Sequence, residues 1–267
     1  ACSYAVNVTR DDYQDLTRDL LGLKSISHPD TPLPGLDVVI GTGFGDVRQK
    51  DAGQGTNFVP GNAYLTTADL QAVDVQNGGK YVTAVRTAGV NGAEGLETAA
   101  KQARDRGQRL LGFYGVGATK HLPFRTADGN YDPTVGRGKK AESYKPADLS
   151  ENPTLADFTK SALTALEKKD RFWLMVEPGD VDWANHDNNL DNSIGAVLSG
   201  DAAVKVITDW VETHSNWNEA VLIVTADAAD YLLAAGGTIA SMTANGDRAI
   251  LLRVANDDKN SWNLSPE

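Results

Sequence analysis

Phe172-Trp-Leu-Met-Val-Glu177-Pro-Gly-Asp-Val-Asp182-Trp-Ala-Asn-His186-Asp187 is the stretch that decides the fold. An apolar run, Phe172 to Val176, ends in the carboxylate of Glu177. A Pro-Gly turn follows, and Asp182 and His186 then stand four residues apart. A short, continuous apolar run bounded by turn residues is the pattern of a buried strand. Open α/β sheets build their sites beyond the carboxyl ends of such strands.

The same pattern recurs on either side of this stretch. Apolar runs at 36–40, 81–85, 109–114, 220–225 and 249–254 read as strands. Between them, 10–22, 67–77, 94–104 and 190–213 carry apolar residues at helical spacing. Asn152-Pro153 is expected to start another helix, with a capping side chain followed by proline in the first turn. Its buried stripe would be Leu155, Phe158, Ala162 and Leu166. Strands alternating with helices predict the α/β class, with a mostly parallel central sheet and helices on both faces. Residues 115–152, rich in Gly, Pro, Lys and Asp, are expected to form a surface excursion from a single domain spanning 1–267.

Composition narrows the function classes. The chain has 267 residues, 41% of them hydrophobic, enough for a sizeable core. Its net charge of −11 argues against a nucleic-acid partner, because a polyphosphate backbone selects basic surfaces. Cys2 is the only cysteine, so no internal disulfide forms. The first residues, Ala1 to Val6, lack the charged and long apolar regions of a signal peptide. The longest apolar runs reach about 5–7 residues, far below the ~20 that a membrane span needs.

Two strands end in acids at equivalent places: Val176-Glu177 and Val224-Thr-Ala-Asp227. In a parallel sheet both ends lie on one edge, so Glu177, Asp182, His186 and Asp227 are candidates to converge there. Carboxylate oxygens suit Mg²⁺, and a mixed Asp/His set suits Zn²⁺. The competing reading of Asp182 and His186 is a helix N-terminus with a solvated histidine.

The run from Phe172 to His186 resembles the metal motif of alkaline phosphatases: a strand ending Val-Glu-Gly-Gly, then Asp, then His four residues on. Leu222-Ile-Val-Thr-Ala-Asp227 resembles that family's Thr-Ala-Asp-His motif. Asn152 to Lys160 resembles the helix that precedes the metal strand, and Leu36-Asp-Val-Val-Ile-Gly-Thr-Gly-Phe-Gly45 its Asp-Val-(apolar)-Gly-Gly-Gly segment. Val8-Thr-Arg10 resembles the segment carrying the phosphate-binding arginine. The resemblance runs from about residue 5 to 233 in the family's order. It implies an alkaline-phosphatase-like three-layer sandwich, incomplete here, and metal-dependent hydrolysis of phosphate monoesters. Glu177 would then bind Mg²⁺, Asp182 and His186 the first Zn²⁺, and Asp227 the second. Arg10 would clamp two phosphate oxygens, since a planar guanidinium matches them bidentately. Two zinc ions and one magnesium ion would assist an in-line displacement. Small phosphate esters as substrates, a periplasmic or extracellular location and room for a homodimer are implied on the same ground.

The chain also departs from that pattern. Ala228 stands where the family has a zinc-binding histidine after the aspartate, and alanine has no ligand atom. The nucleophilic serine's segment, upstream of the arginine, is not present, nor is the segment with the last histidine ligand. The sequence therefore reads as the C-terminal part of such an enzyme. The alternative is a catalytically inactive fragment or a non-catalytic relative that binds a divalent cation or phosphate. His28, His121 and His214 lie outside any ligand pattern and are expected to be ordinary loop or surface residues.

Overall fold

The computed structural model describes residues 7, 9–117, 121–132, 134, 143–226 and 248–254. Asp227 and Ala228 fall outside the described residues. The chain divides into two compact units, one within 1–123 and 144–168, the other within 124–143 and 169–267.

The first unit opens with α1 (Tyr13–Leu21), then β1 (Val38–Gly41) and the short antiparallel pair β2 (Val47–Arg48) and β3 (Gly61–Asn62). Next come α2 (Thr67–Val73), β4 (Tyr81–Val85), α3 (Gly92–Arg106) and β5 (Arg109–Phe113). Helices α4 (Pro146–Glu151) and α5 (Leu155–Leu166) complete it. The second unit holds β6 (Trp173–Val176), α6 (Asp180–His186), α7 (Leu190–His214), β7 (Ala220–Ala226) and β8 (Arg248–Val254).

In the first unit β1, β5 and β4 form a parallel sheet in that order, with Leu110 of β5 level with Val38 on one side and Val82 on the other. Successive side chains of a strand point to opposite faces, and both faces here are covered. Leu110, Val82 and Ala84 pack with Leu96, Ala99, Ala100 and Ala103 of α3 and with Phe158 and Ala165 of α5. Leu111, Phe113 and Tyr81 pack on the opposite face with Leu21 of α1 and Val73 of α2. This is the helix–sheet–helix layering that the sequence pattern predicts for a parallel sheet.

The helix ends are set locally. Asn91 caps α3 by accepting from the Glu94 N–H at 3.2 Å, and Gly107 at φ 63° closes it. The expected start of a helix at Asn152 is corrected by the structure. Thr154 is the cap of α5, in a reciprocal box: Asp157 N–H donates to Thr154 Oγ1 at 3.2 Å and Thr154 N–H to Asp157 at 2.8 Å. Asn152 instead accepts from the Gly115 N–H at 2.7 Å and donates to the Asp148 carbonyl at 2.8 Å. A buried amide bonded on both sides stitches the chain leaving β5 to α4. Within 115–152, Val116, Leu122, Phe124, Glu151 and Asn152 are buried.

The second unit has a parallel sheet in the order β6-β8-β7, with Ala249 of β8 level with Trp173 and Val221. Helix α7 turns Gly195, Ala196, Ala203, Ile207, Trp210 and Val211 inward. Phe172 meets Trp210 edge-on at 5.6 Å. Gly195 allows a close approach: a Cβ there would stand 1.8 Å from the Arg125 carbonyl oxygen.

Candidate functional site

The two outer strands of the second sheet end on one edge. Val176 and Val224 are both level with Leu252 of β8, which sets their backbones about 10 Å apart, two strand spacings. Glu177 follows Val176 directly and is exposed. Pro178 and Gly179 then turn the chain into α6. Val181 and Ala184 are the buried side of α6, with Val181 packed on Phe124 and on Ala196 of α7. That packing leaves Asp182 and His186, one helical turn apart, on the more open side. Their side chains meet, with His186 Nε2 3.5 Å from Asp182 Oδ1. The Asp182 side chain is largely covered and the His186 ring half exposed.

The turn between α6 and α7 fixes that geometry. Asn188 takes the left-handed conformation at φ 51°, which Asn tolerates better than most residues. Asn189 then accepts from the Asn192 N–H at 3.0 Å as the cap of α7. Gly200 of α7 lies against the Pro178 ring, where a Cβ would stand 3.2 Å away. The chain on either side of Asp182 and His186 is thereby braced by α7.

Asp182 and His186 are brought together, and Glu177 lies at the same sheet edge. Asp227 lies outside the described residues. Arg10 belongs to the first unit, exposed, in the turn before α1. It makes no ion pair with any described residue.

A cation would find donors of the right kind at α6, a carboxylate oxygen beside an imidazole nitrogen. Structural and catalytic zinc sites use at least three protein ligands. Among the described residues no group of three or more His, Cys, Asp or Glu is placed to hold a metal ion. The described donors thus match zinc in type and fall short in number.

The glycine-rich segment after β1 is packed shut. Gly43, at φ +110°, lies under the Tyr64 ring, where a Cβ would stand 2.5 Å from a ring carbon. Gly45 abuts Gly117, and Asn62 Nδ2 donates to the Gly43 and Phe44 carbonyls at 2.8 and 2.9 Å. Close backbone approach accounts for these glycines without a bound phosphate.

The family model for alkaline phosphatase matches residues 36–264. The chain belongs to the alkaline phosphatase family. It is 36% identical over 91 residues to a membrane-bound alkaline phosphatase of Bombyx mori, a match covering 34% of this chain and 16% of that protein. It is 34% identical over 76 residues to alkaline phosphatase 3 of Bacillus subtilis (strain 168), covering 28% and 16%. Alkaline phosphatase 4 of the same strain matches at 34% over 79 residues, covering 29% and 16%. The matched stretches therefore span about a sixth of each relative's length. Among the described residues no helix is long and apolar enough to cross a membrane.

One feature of the first unit escapes sequence reasoning. The turn that carries Arg10 is tied down by Asn7 and by a fully buried Asp15. The only signal for it is a carboxylate on the inward side of α1, where an apolar residue would be expected.

Proposed function

We propose that the protein to which this chain belongs is a metal-dependent phosphomonoester hydrolase acting on small phosphate esters. The observation that supports it is the pairing of Asp182 with His186 at 3.5 Å beyond the end of β6, in a chain of the alkaline phosphatase family. Asp182 and His186 are the proposed zinc ligands, Glu177 the magnesium ligand, and Asp227 a ligand of a second zinc. Bound there, such ions would stabilise charge on the attacking and leaving oxygens of an in-line displacement. Arg10 binds two oxygens of the phosphoryl group through its planar guanidinium. Within the chain's own residues, the Pro178 and Asn189 contacts hold the Asp182–His186 pair in one orientation, so little ordering remains when a ligand arrives. Organisation as one domain with a surface excursion, a periplasmic or extracellular location and a homodimer belong to the same proposal.

The test is p-nitrophenyl phosphate turnover at alkaline pH with Zn²⁺ and Mg²⁺ supplied, against EDTA and against Asp182→Ala. Turnover lost in both controls supports the assignment. Turnover that persists in Asp182→Ala removes Asp182 from the metal set.

A second reading is a relative that binds a divalent cation or phosphate without hydrolysing esters. Ala228 after Asp227 favours it, because the residue there has no donor atom. Zinc binding by calorimetry with no turnover under the same conditions is its expected signature.

A further inference from the structure

We propose that Asn7 and Asp15 are positioning residues for Arg10: they fix the turn that presents its guanidinium to an anionic substrate. The inference rests on Arg10 as the phosphate clamp. It adds the residues through which the fold sets that clamp.

Arg10 is exposed and lies in a turn, so nothing in regular secondary structure holds it. The turn is braced on both sides by side chains. On the N-terminal side, Asn7 Oδ1 accepts from the Thr9 N–H at 3.4 Å, and Asn7 Nδ2 donates to Asp15 Oδ2 at 2.7 Å. On the C-terminal side, Thr9 Oγ1 accepts from the Asp11 N–H at 3.2 Å, and the Tyr13 hydroxyl donates to Asp11 Oδ1 at 3.3 Å. Burial, reinforced by the neighbouring Asp11 carboxylate, raises the Tyr13 phenol above its ordinary pKa and keeps it a donor.

Asp15 is the anchor. Its side chain is wholly removed from solvent, and a buried carboxylate is tolerated only when its oxygens are satisfied. Besides Asn7 it accepts from the Ile26 N–H at 2.5 Å, the Ser27 N–H at 3.3 Å and the Ser27 hydroxyl at 2.9 Å. One carboxylate thus joins the Arg10 turn to the 25–28 loop. His28 of that loop is bound in turn to Asp19, a second buried carboxylate one turn further along α1, at 3.0 Å. The turn is held to the buried side of α1 and to the 25–28 loop, and a bidentate clamp gains from being preorganised in this way.

A purely structural role for Asn7 makes a different prediction, and a double-mutant cycle in the full-length enzyme separates the two. The readouts are KM for p-nitrophenyl phosphate, the inhibition constant of inorganic phosphate, kcat and Tm. Asn7→Ala is expected to raise KM and the phosphate inhibition constant about three- to tenfold, with Tm close to wild type. In the Arg10→Ala background the same substitution is expected to add nothing, because it acts through the guanidinium. Wild-type constants in Asn7→Ala, or an equal factor in both backgrounds, would overturn the positioning role while leaving the clamp intact. If Arg10→Ala alone changes neither constant, the clamp assignment fails, and the positioning role with it.

Discussion

The two parallel sheets among the described residues are built alike and finished differently. Each has three described parallel strands, and the one that comes last in the chain, β5 or β8, lies at its centre. The first buries both faces: Leu110 looks to α3 and α5, Leu111 to α1 and α2. In the second, Val224 of β7 is 55% exposed and Trp173 of β6 40% exposed. Helix α7 repeats the contrast along its own length. Opposite its packed side, Leu190, Ile194, Val197 and Leu198 are exposed, and from Asp201 onward the same side is charged, with Lys205 and Asp209 paired at 2.7 Å. The first unit thus gets its stability from apolar burial on two fronts, whereas the described part of the second concentrates its burial on one side of α7. Two of the candidate metal ligands, Asp182 and His186, sit in the second unit on a two-turn helix with one buried side.

The sharpest way to break this comparison is a truncation at the centre of the first sheet. Leu110 has no exposed surface, and Leu110→Ala is expected to lower unfolding free energy by about 2–5 kcal/mol, read by urea denaturation. A loss below 1 kcal/mol would mean that the two-faced packing is looser than described.

A smaller effect is expected from acid. Glu151 lies below its ordinary pKa, first because it accepts from the Gly89 N–H and next because Arg86 pairs with it. A depressed folded pKa contributes stability that is fully present above the unfolded value, about 4.3, and is lost as pH falls through the folded one. Wild type should therefore lose Tm between pH 5 and pH 3 more steeply than Glu151→Gln. Parallel curves would show that the Glu151 contacts add no pH dependence.

The smallest effect belongs to α7. Leu198→Ala removes a side chain that is already in water, so a stability change within about 0.5 kcal/mol is expected. A loss several times larger would show that this side of α7 is covered in solution and would narrow the difference between the two units.

Much of the fold was legible in the residues. Strand β4 occupies the predicted 81–85, and β5, β7 and β8 match within a residue or two, because short apolar runs between turn signals have few other fates. The boundary at Asn152 was misread for a local reason: a good capping side chain was engaged elsewhere, with Gly115 and Asp148, and Thr154 took its place. Helix α6, two turns long, was too short to show a period of its own and was expected only as a loop or helix start. Of the candidate site, the meeting of Asp182 and His186 followed from their spacing. In the first unit, the bond that ties Asn7 to Asp15 did not, since nothing in the local pattern says that a carboxylate on α1 will be wholly buried.

Sequence alone determined the class of this fold, the order of its strands and helices, and the family to which it belongs. These depend on hydrophobic period, turn chemistry and short motifs, all carried by neighbouring residues. Tertiary structure decided which strands pair, placing β5 between β1 and β4 and β8 between β6 and β7, and which polar side chains are removed from water. Those outcomes depend on contacts between residues far apart in the chain, where leaving a buried carboxylate unsatisfied costs more than a typical local preference supplies.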